Sequence, residues 1–146
     1  MAKRRLKVVV DTNVLLGSFL SRRKLSSNRK VIRLWLIEKR LRLVLSSGIR
    51  EEYLKVLEEI AGFDRKRLDR WSARFSDRSR TETVKPTIVV GLSRDPDDNK
   101  FIAAAITAKA SFLITNDRDL LDIPNSEKRK LKFEIVTPVE FLRRLS

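Results

Sequence analysis

The strongest constraint on the fold of this chain is its alternation of short apolar runs with longer stretches of helical periodicity. Leu6 to Val10 (LKVVV) is nearly continuous in apolar character and contains three consecutive valines. Such a run suits a strand covered on both faces, whereas a half-exposed strand would alternate. Leu41 to Leu45, Phe112 to Thr115 and Phe133 to Val136 repeat the pattern, and Thr87 to Val90 is predicted as a further strand. Helices are predicted over 29–40, 49–60, 64–76 and 97–109, with Pro138 opening a last one, and SDRSRTETVKP (76–86) reads as an exposed loop. Strands that alternate with helices of ten or more residues imply βαβ units, and so an α/β fold with a parallel sheet. With 146 residues and no linker long enough to divide them, residues 1–146 are expected to form one domain.

The absent residue types limit the chemistry. The sequence has no Cys and no His, which excludes disulfides, thiolate nucleophiles, Cys-ligated zinc and the commonest general base. Any metal must be held by oxygen. No stretch approaches the ~18 uncharged apolar residues needed to span a bilayer, so a cytoplasmic protein without membrane contact is expected.

The formal charge is +14, and it is unevenly spread: residues 1–50 carry 14 basic and 2 acidic side chains, whereas residues 95–146 carry 9 of each. A concentration of this kind attracts polyanions through salt-dependent phosphate contacts. Arg22, Arg23, Lys24, Arg29, Arg33 and Arg40 are the candidate nucleic-acid-binding residues. On a helix over 29–40, Arg29, Arg33 and Arg40 would fall within about 40° and form a cationic stripe.

In parallel α/β sheets, ligands bind beyond the carboxyl ends of the strands. Acids gather there in this sequence. Asp11 follows VVV within Asp11-Thr12-Asn13; Asp117 and Asp119 follow FLIT; Asp95, Asp97 and Asp98 open a helix; Glu51 and Glu52 stand in the first turn of another. Steps of about 100° place Glu52 at the border of its helix's apolar side and Glu51 away from it; on the helix with Phe101, Ile102 and Ala105, Asp98 falls on the apolar side. Within DPDDN, Asp95 and Asp97 remain alternatives to Asp98. Each acid also has an ordinary role open to it, since Asp is favoured at helix caps and turns. Two carboxylates about 4 Å apart repel by roughly 4 kcal/mol at an effective dielectric near 20, so their shared location calls for a cation. Oxygen ligands favour Mg²⁺ or Mn²⁺. An acidic pocket in a basic protein suits phosphodiester hydrolysis, in which a divalent ion activates water.

Four blocks, VVVDTNVLLG (8–17), SSGIREEYLKVL (46–57), DPDDNKFIAAAI (95–106) and FLITNDRDLL (112–121), resemble the signature blocks of PIN-domain ribonucleases, and FEIVTPVEFL (133–142) is similar to that family's closing strand and helix. The branch it resembles includes toxins of toxin–antitoxin pairs related to the PilT N-terminal domain. The resemblance implies an α/β/α sandwich with a mostly parallel, about five-stranded sheet. It also implies an acidic quartet of Asp11, Glu52, Asp98 and Asp117 that holds one or two Mg²⁺ or Mn²⁺ ions, with Asp119 as a further metal ligand and Thr12, Asn13 and Thr115 in support. A single-stranded RNA substrate, a small antitoxin and a homodimer are the partners it implies.

Two other readings compete. Phosphoryl-transfer proteins of the haloacid dehalogenase or receiver type also place Asp at strand ends. The first would need a second Asp where Asn13 stands, and the second would need paired acids around the end of the first strand; neither pattern is present. A non-catalytic module that binds nucleic acid or a partner, with acids that merely cap helices, is the non-enzymatic alternative.

Overall fold

The computed structural model describes residues 5–23, 26–88 and 90–145. Five strands, β1 (Leu6–Val10), β2 (Leu41–Leu45), β3 (Thr81–Thr83), β4 (Phe112–Ile114) and β5 (Glu134–Val136), form one sheet in the order β3-β2-β1-β4-β5, and every pairing is parallel. The helices are α1 (Thr12–Leu20), α2 (Ser27–Leu36), α3 (Ser47–Glu59), α4 (Arg65–Phe75), α5 (Asn99–Ala108), α6 (Arg118–Leu121), α7 (Asn125–Lys128) and α8 (Pro138–Leu145), with a 3₁₀ turn over Pro96–Asp98 leading into α5. They cover both sides of the sheet, the α/β/α arrangement expected. Val8, Val9 and Val10 are buried, as a strand sandwiched between two helical layers requires.

The chain first builds outward from β1 to β2 and β3, then returns to the other side of β1 to lay down β4 and β5. The reversal makes the β1/β4 boundary a topological switch point, where the connections leaving neighbouring strands diverge and open a crevice beyond their carboxyl ends. Pairing continues one residue past the strands there: Asp11 N–H donates to the Ile114 carbonyl at 2.9 Å and Thr115 N–H to the Val136 carbonyl at 2.9 Å. Residues 11 and 115 are thereby fixed at the crevice floor.

Two sequence expectations are corrected. The described residues of 87–90 form no strand; the third strand lies inside the segment read as an exposed loop. Thr81 and Thr83 flank Glu82 on a short edge strand, which has no apolar run to reveal it; its backbone register comes from Leu43 N–H donating to the Arg80 carbonyl and Val84 N–H to that of Leu45. Pro86, which has no N–H to give a ladder, stands just before the stretch that was expected to pair. Glu82 pairs with Lys7 at 3.2 Å and Arg42 at 3.8 Å. The second correction concerns α2, which stops at Leu36; Lys39 follows in the left-handed region with φ 53° and turns the chain into β2. Arg40 is therefore not on α2, and the three-arginine stripe does not form.

Under α2, α3 and α4 lies an aromatic cluster in which Trp35 stacks on Phe75 with ring centroids 5.9 Å apart and Phe19 meets Trp71 edge-on. Tyr53, fully buried among these rings, donates its hydroxyl hydrogen to the Val10 carbonyl, which ties α3 to the end of β1. A Cβ at Gly17 would press on the side-chain amide of Asn28, which reaches across from α2.

Candidate metal centre

The acids converge on the switch-point crevice. Oxygens of Asp11, Asp98 and Asp117 lie within 4.8 Å of one another, and Asp98 also belongs to a second triad of the same compactness with Asp95 and Asp119. Asp11 is 4% exposed and Asp98 is 8% exposed. Asp11 arrives on β1, Asp117 on the turn after β4, and Asp98 on the 3₁₀ turn that crosses from β3 to α5. Sequence separations of about a hundred residues are thus closed by the sheet order.

Hydrogen bonding distinguishes capping acids from the rest. Asp95 caps its turn by accepting from Asp97 N–H at 3.0 Å, and Asp117 caps α6 by accepting from Asp119 N–H at 2.9 Å. Asp11 and Asp98 occupy N-cap positions of α1 and α5 yet make no side-chain cap hydrogen bond. Asp98 Oδ2 is buried with no hydrogen-bond partner. A buried carboxylate oxygen without a partner is costly, and capping therefore does not account for these two residues.

Their proton affinities reflect the crowding. Burial, followed by hydrogen bonding to Asp117 and the negative charges of Asp117, Asp11 and Asp95, pushes the Asp98 carboxyl up to about 8. Burial also raises Asp11 to about 6; Asp117 and Glu52 add to the effect, while the Thr115 hydroxyl and the Thr12 N–H oppose it. Without a cation the site retains protons that ordinary carboxyls would have lost. Three close carboxylates, one of which carries an unpartnered buried oxygen, and no nitrogen or sulfur ligand fit a hard divalent cation.

The supporting residues fall into two groups. Thr115, fully buried, donates to Asp11 Oδ2 at 2.6 Å and accepts from Asp117 N–H at 2.9 Å, so one hydroxyl positions two members of the first triad. Asn13 Oδ1 accepts from Asn116 N–H at 3.3 Å, and Asn116 reaches Asn28 on α2 at 3.1 Å, which braces the loop after β4. Glu52 stands apart from both triads. Its Oε2 accepts from the Thr12 hydroxyl, and its Oε1 pairs with Lys100 at 2.7 Å. Asp119 sides with Asp95 rather than Asp11, and Arg94 pairs with it at 3.0 Å.

Lys100, Arg94 and the part played by Asp95 in the second triad were not identified from sequence. Lys100 did carry a signal: a lysine in the first turn of a helix opposes the macrodipole and implies a specific partner. Among the candidate nucleic-acid residues, Arg22, Arg23, Arg33 and Arg40 are exposed, and Lys24 lies outside the described residues. Arg29 is half-buried, and its guanidinium donates to the Ser18 carbonyl at 2.9 Å and to that of Ser21, at the end of α1. Its donors are directed into the fold.

Comparison with known proteins bears on the fold and the family. The uncharacterized protein MJ1680 of Methanocaldococcus jannaschii is 30% identical over 150 residues, which span 97% of this chain and 93% of that protein. The solved structure of VapBC2 from Rickettsia felis, bound to a DNA fragment from their promoter, matches with a TM-score of 0.52 and 15% identity over 90% of this chain and 98% of that one, which is a likeness of fold. A family model described as PIN domain matches residues 7–119, the span from β1 to Asp119 that carries every acid of the two triads, and the chain therefore belongs to the PIN-domain family, whose members are generally nucleases.

Proposed function

We propose that the protein is a divalent-metal-dependent endoribonuclease that hydrolyses phosphodiester bonds of single-stranded RNA, and that residues 1–146 work as one catalytic domain. The observation that carries this reading is the Asp11–Asp98–Asp117 triad with its orphaned Asp98 oxygen, at the one place in the topology where a crevice must open. Asp11, Asp98 and Asp117 would hold Mg²⁺ or Mn²⁺, and Asp95 with Asp119 a second ion. When bound, such an ion lowers the pKa of a coordinated water and offsets charge on the phosphate.

The chain's own residues prepare the site. Asp98 gives up its proton when a cation takes its place, and the Thr115 hydroxyl keeps Asp11 and Asp117 in register. Glu52, paired with Lys100 but still acting on Asp11 by its charge, accepts from the Thr12 hydroxyl at the start of α1 without joining the triad. The exposed Arg22, Arg23, Arg33 and Arg40 supply a cationic approach for the RNA backbone, with Lys24 in the same stretch.

The toxin half of a toxin–antitoxin pair is the biological setting this reading favours, with a small antitoxin as partner and a homodimer as the working form. The likeness to the VapBC2 fold supports that setting. No helix among the described residues is long and apolar enough to cross a membrane, in keeping with a cytoplasmic site of action.

The test is cleavage of single-stranded RNA with Mn²⁺ by the parent protein and by Asp11→Asn, each shown to be folded. Loss of Mn²⁺-dependent cleavage in the variant is expected; equal cleavage would overturn the proposal. A non-catalytic nucleic-acid-binding module would bind RNA equally well in EDTA and never cleave it. The uncapped Asp11 and Asp98 argue against that alternative.

A further inference from the structure

The sequence places its excess of cations in the first 50 residues, but folding assembles a second concentration on α4. Arg67, Arg70 and Arg74 stand at i, i+3 and i+7, within about 60° on one helical face and about 4.5 and 6 Å apart along the axis. The Arg67 guanidinium lies 3.9 Å from the ring centroid of Phe63, and that of Arg74 lies 4.6 Å from that of Trp71. Aromatic packing orients both planes without occupying their N–H donors. Arg70 is exposed and makes no hydrogen bond or ion pair with any described residue.

The row continues into an open cavity of about 580 Å³, lined by Arg70, Arg74 and Arg80 together with Leu36, Ile37 and Asp77. Arg80 pairs with Asp77 at 3.3 Å and donates to the Leu36 carbonyl at 2.7 Å. Lys39, in the turn after α2, also acts on Asp77. Along the cavity lining three arginines therefore meet a single carboxylate, and Lys39 acts on that carboxylate as well. Burial, then the charges of Arg70, Arg80 and Arg67, lowers the proton affinity of Arg74, which registers the mutual repulsion. Arg80 and Leu36 precede β3 and β2, so this belt runs at the amino edge of the sheet, opposite the acid crevice.

We propose that the face of α4 bearing Arg67, Arg70 and Arg74, extended by Arg80 and Lys39, is a second RNA-binding surface that tracks the sugar-phosphate backbone away from the acid crevice. The identity of the polyanion rests on the nuclease reading. A linear repeat of like charge matches a linear repeat of phosphates. Ile37 is the one large, exposed apolar side chain in the cavity, so an amphipathic acidic protein segment would find little apolar floor. The nearby rings of Phe63 and Trp71 are buried and offer no base-stacking platform. Binding here should be blind to sequence and steeply dependent on salt.

The experiment measures fluorescence anisotropy of a labelled single-stranded RNA of about 20 nucleotides in EDTA, between about 50 and 200 mM salt. The variant R67Q/R70Q/R74Q is compared with K109Q/K130Q/K132Q, which removes the same charge from lysines that line a different cavity, beside the end of α5. Each phosphate contact on a single strand contributes about 0.7 to the log–log salt slope. The arginine variant is expected to lose about 2 from that slope, so that a fourfold rise in salt costs it about 18-fold less affinity than it costs the parent. The lysine variant should keep the parental slope. An unchanged slope in the arginine variant, as an acidic protein ligand would give, overturns the proposal, and so does an equal loss in both variants. Should the triple variant misfold, Arg70→Gln alone, which breaks no contact, must lower the slope by about 0.7. A parent that binds RNA with the full slope but never cleaves it with Mn²⁺ would sink the nuclease reading and leave this surface standing.

Discussion

Replacing Asp98 with Asn should stabilise the metal-free protein while destroying its response to metal. In the parent, the Asp98 carboxyl is raised to about 8 against an ordinary value of 3.8. The folded state therefore binds more protons than the unfolded chain between those values, and folding stability falls as pH rises through that window. Asp11, raised to about 6 by burial, adds to the fall over the lower part of it. Two carboxylates about 4 Å apart repel by roughly 4 kcal/mol at an effective dielectric near 20. Asp117 is only half-buried, and solvent screening at the crevice mouth reduces the recoverable part to about 1 to 2 kcal/mol. For a chain of this size that corresponds to about 3 to 8 °C in Tm.

Thermal unfolding in EDTA at pH 9 and pH 5 tests the argument. The Asn variant should melt above the parent at pH 9, and the difference should shrink at pH 5, where Asp98 is protonated and no charge remains to be relieved. With Mn²⁺ the order should reverse, because the parent gains from binding and the variant does not. A variant that is no more stable than the parent at pH 9, or that still gains as much from Mn²⁺, refutes the assignment of Asp98 as a crowded, cation-seeking carboxylate.

Further outcomes are expected. Mn²⁺ at a hundredfold its Kd should stabilise the parent by about 2.7 kcal/mol; because the ion must displace the protons on Asp98 and Asp11, the gain in Tm should fade as pH is lowered from 8 to below 6, and a pH-independent gain would contradict this. Lys100→Met should tighten Mn²⁺ binding by calorimetry, since it leaves Glu52 with an uncompensated charge beside the triad; weaker binding would show that Lys100 orders the site rather than shielding it. Thr115→Val, nearly equal in volume, removes the donor to Asp11 and the acceptor of Asp117 N–H, and denaturant unfolding should register a loss of about 1 to 3 kcal/mol together with reduced RNA cleavage.

The legible parts of the fold were those in which local pattern and tertiary role coincide. Val8 to Val10 announce a central strand because both faces are covered, and Pro138 marks a helix start because its ring suits the first turn. β3 was illegible because Thr-Glu-Thr owes its pairing to the neighbouring β2, whereas the apolar character of Ile88 and its neighbours suggested a strand that the described residues do not form. Helical phase set Asp98 on the buried side and Asp97 off it, and the burial follows that order although both stand on the 3₁₀ turn ahead of α5. The same argument brought Glu52 toward the site but could not show that Lys100 would hold it outside the triads. Asp95 was legible only as an alternative to Asp98 rather than as its companion: its capping bond to Asp97 is real, and one carboxylate can both cap a turn and face a cation.

The edge strand β3 has one further consequence. An open parallel sheet invites other chains to add strands to it, and short length with charge are the usual defences. Here the outermost ladder is three residues long, and its central side chain, Glu82, is clamped by Lys7 and Arg42. A newly made copy pressing against that border would gain no more than three residues of backbone pairing beside a fixed charge, too little to template a growing sheet.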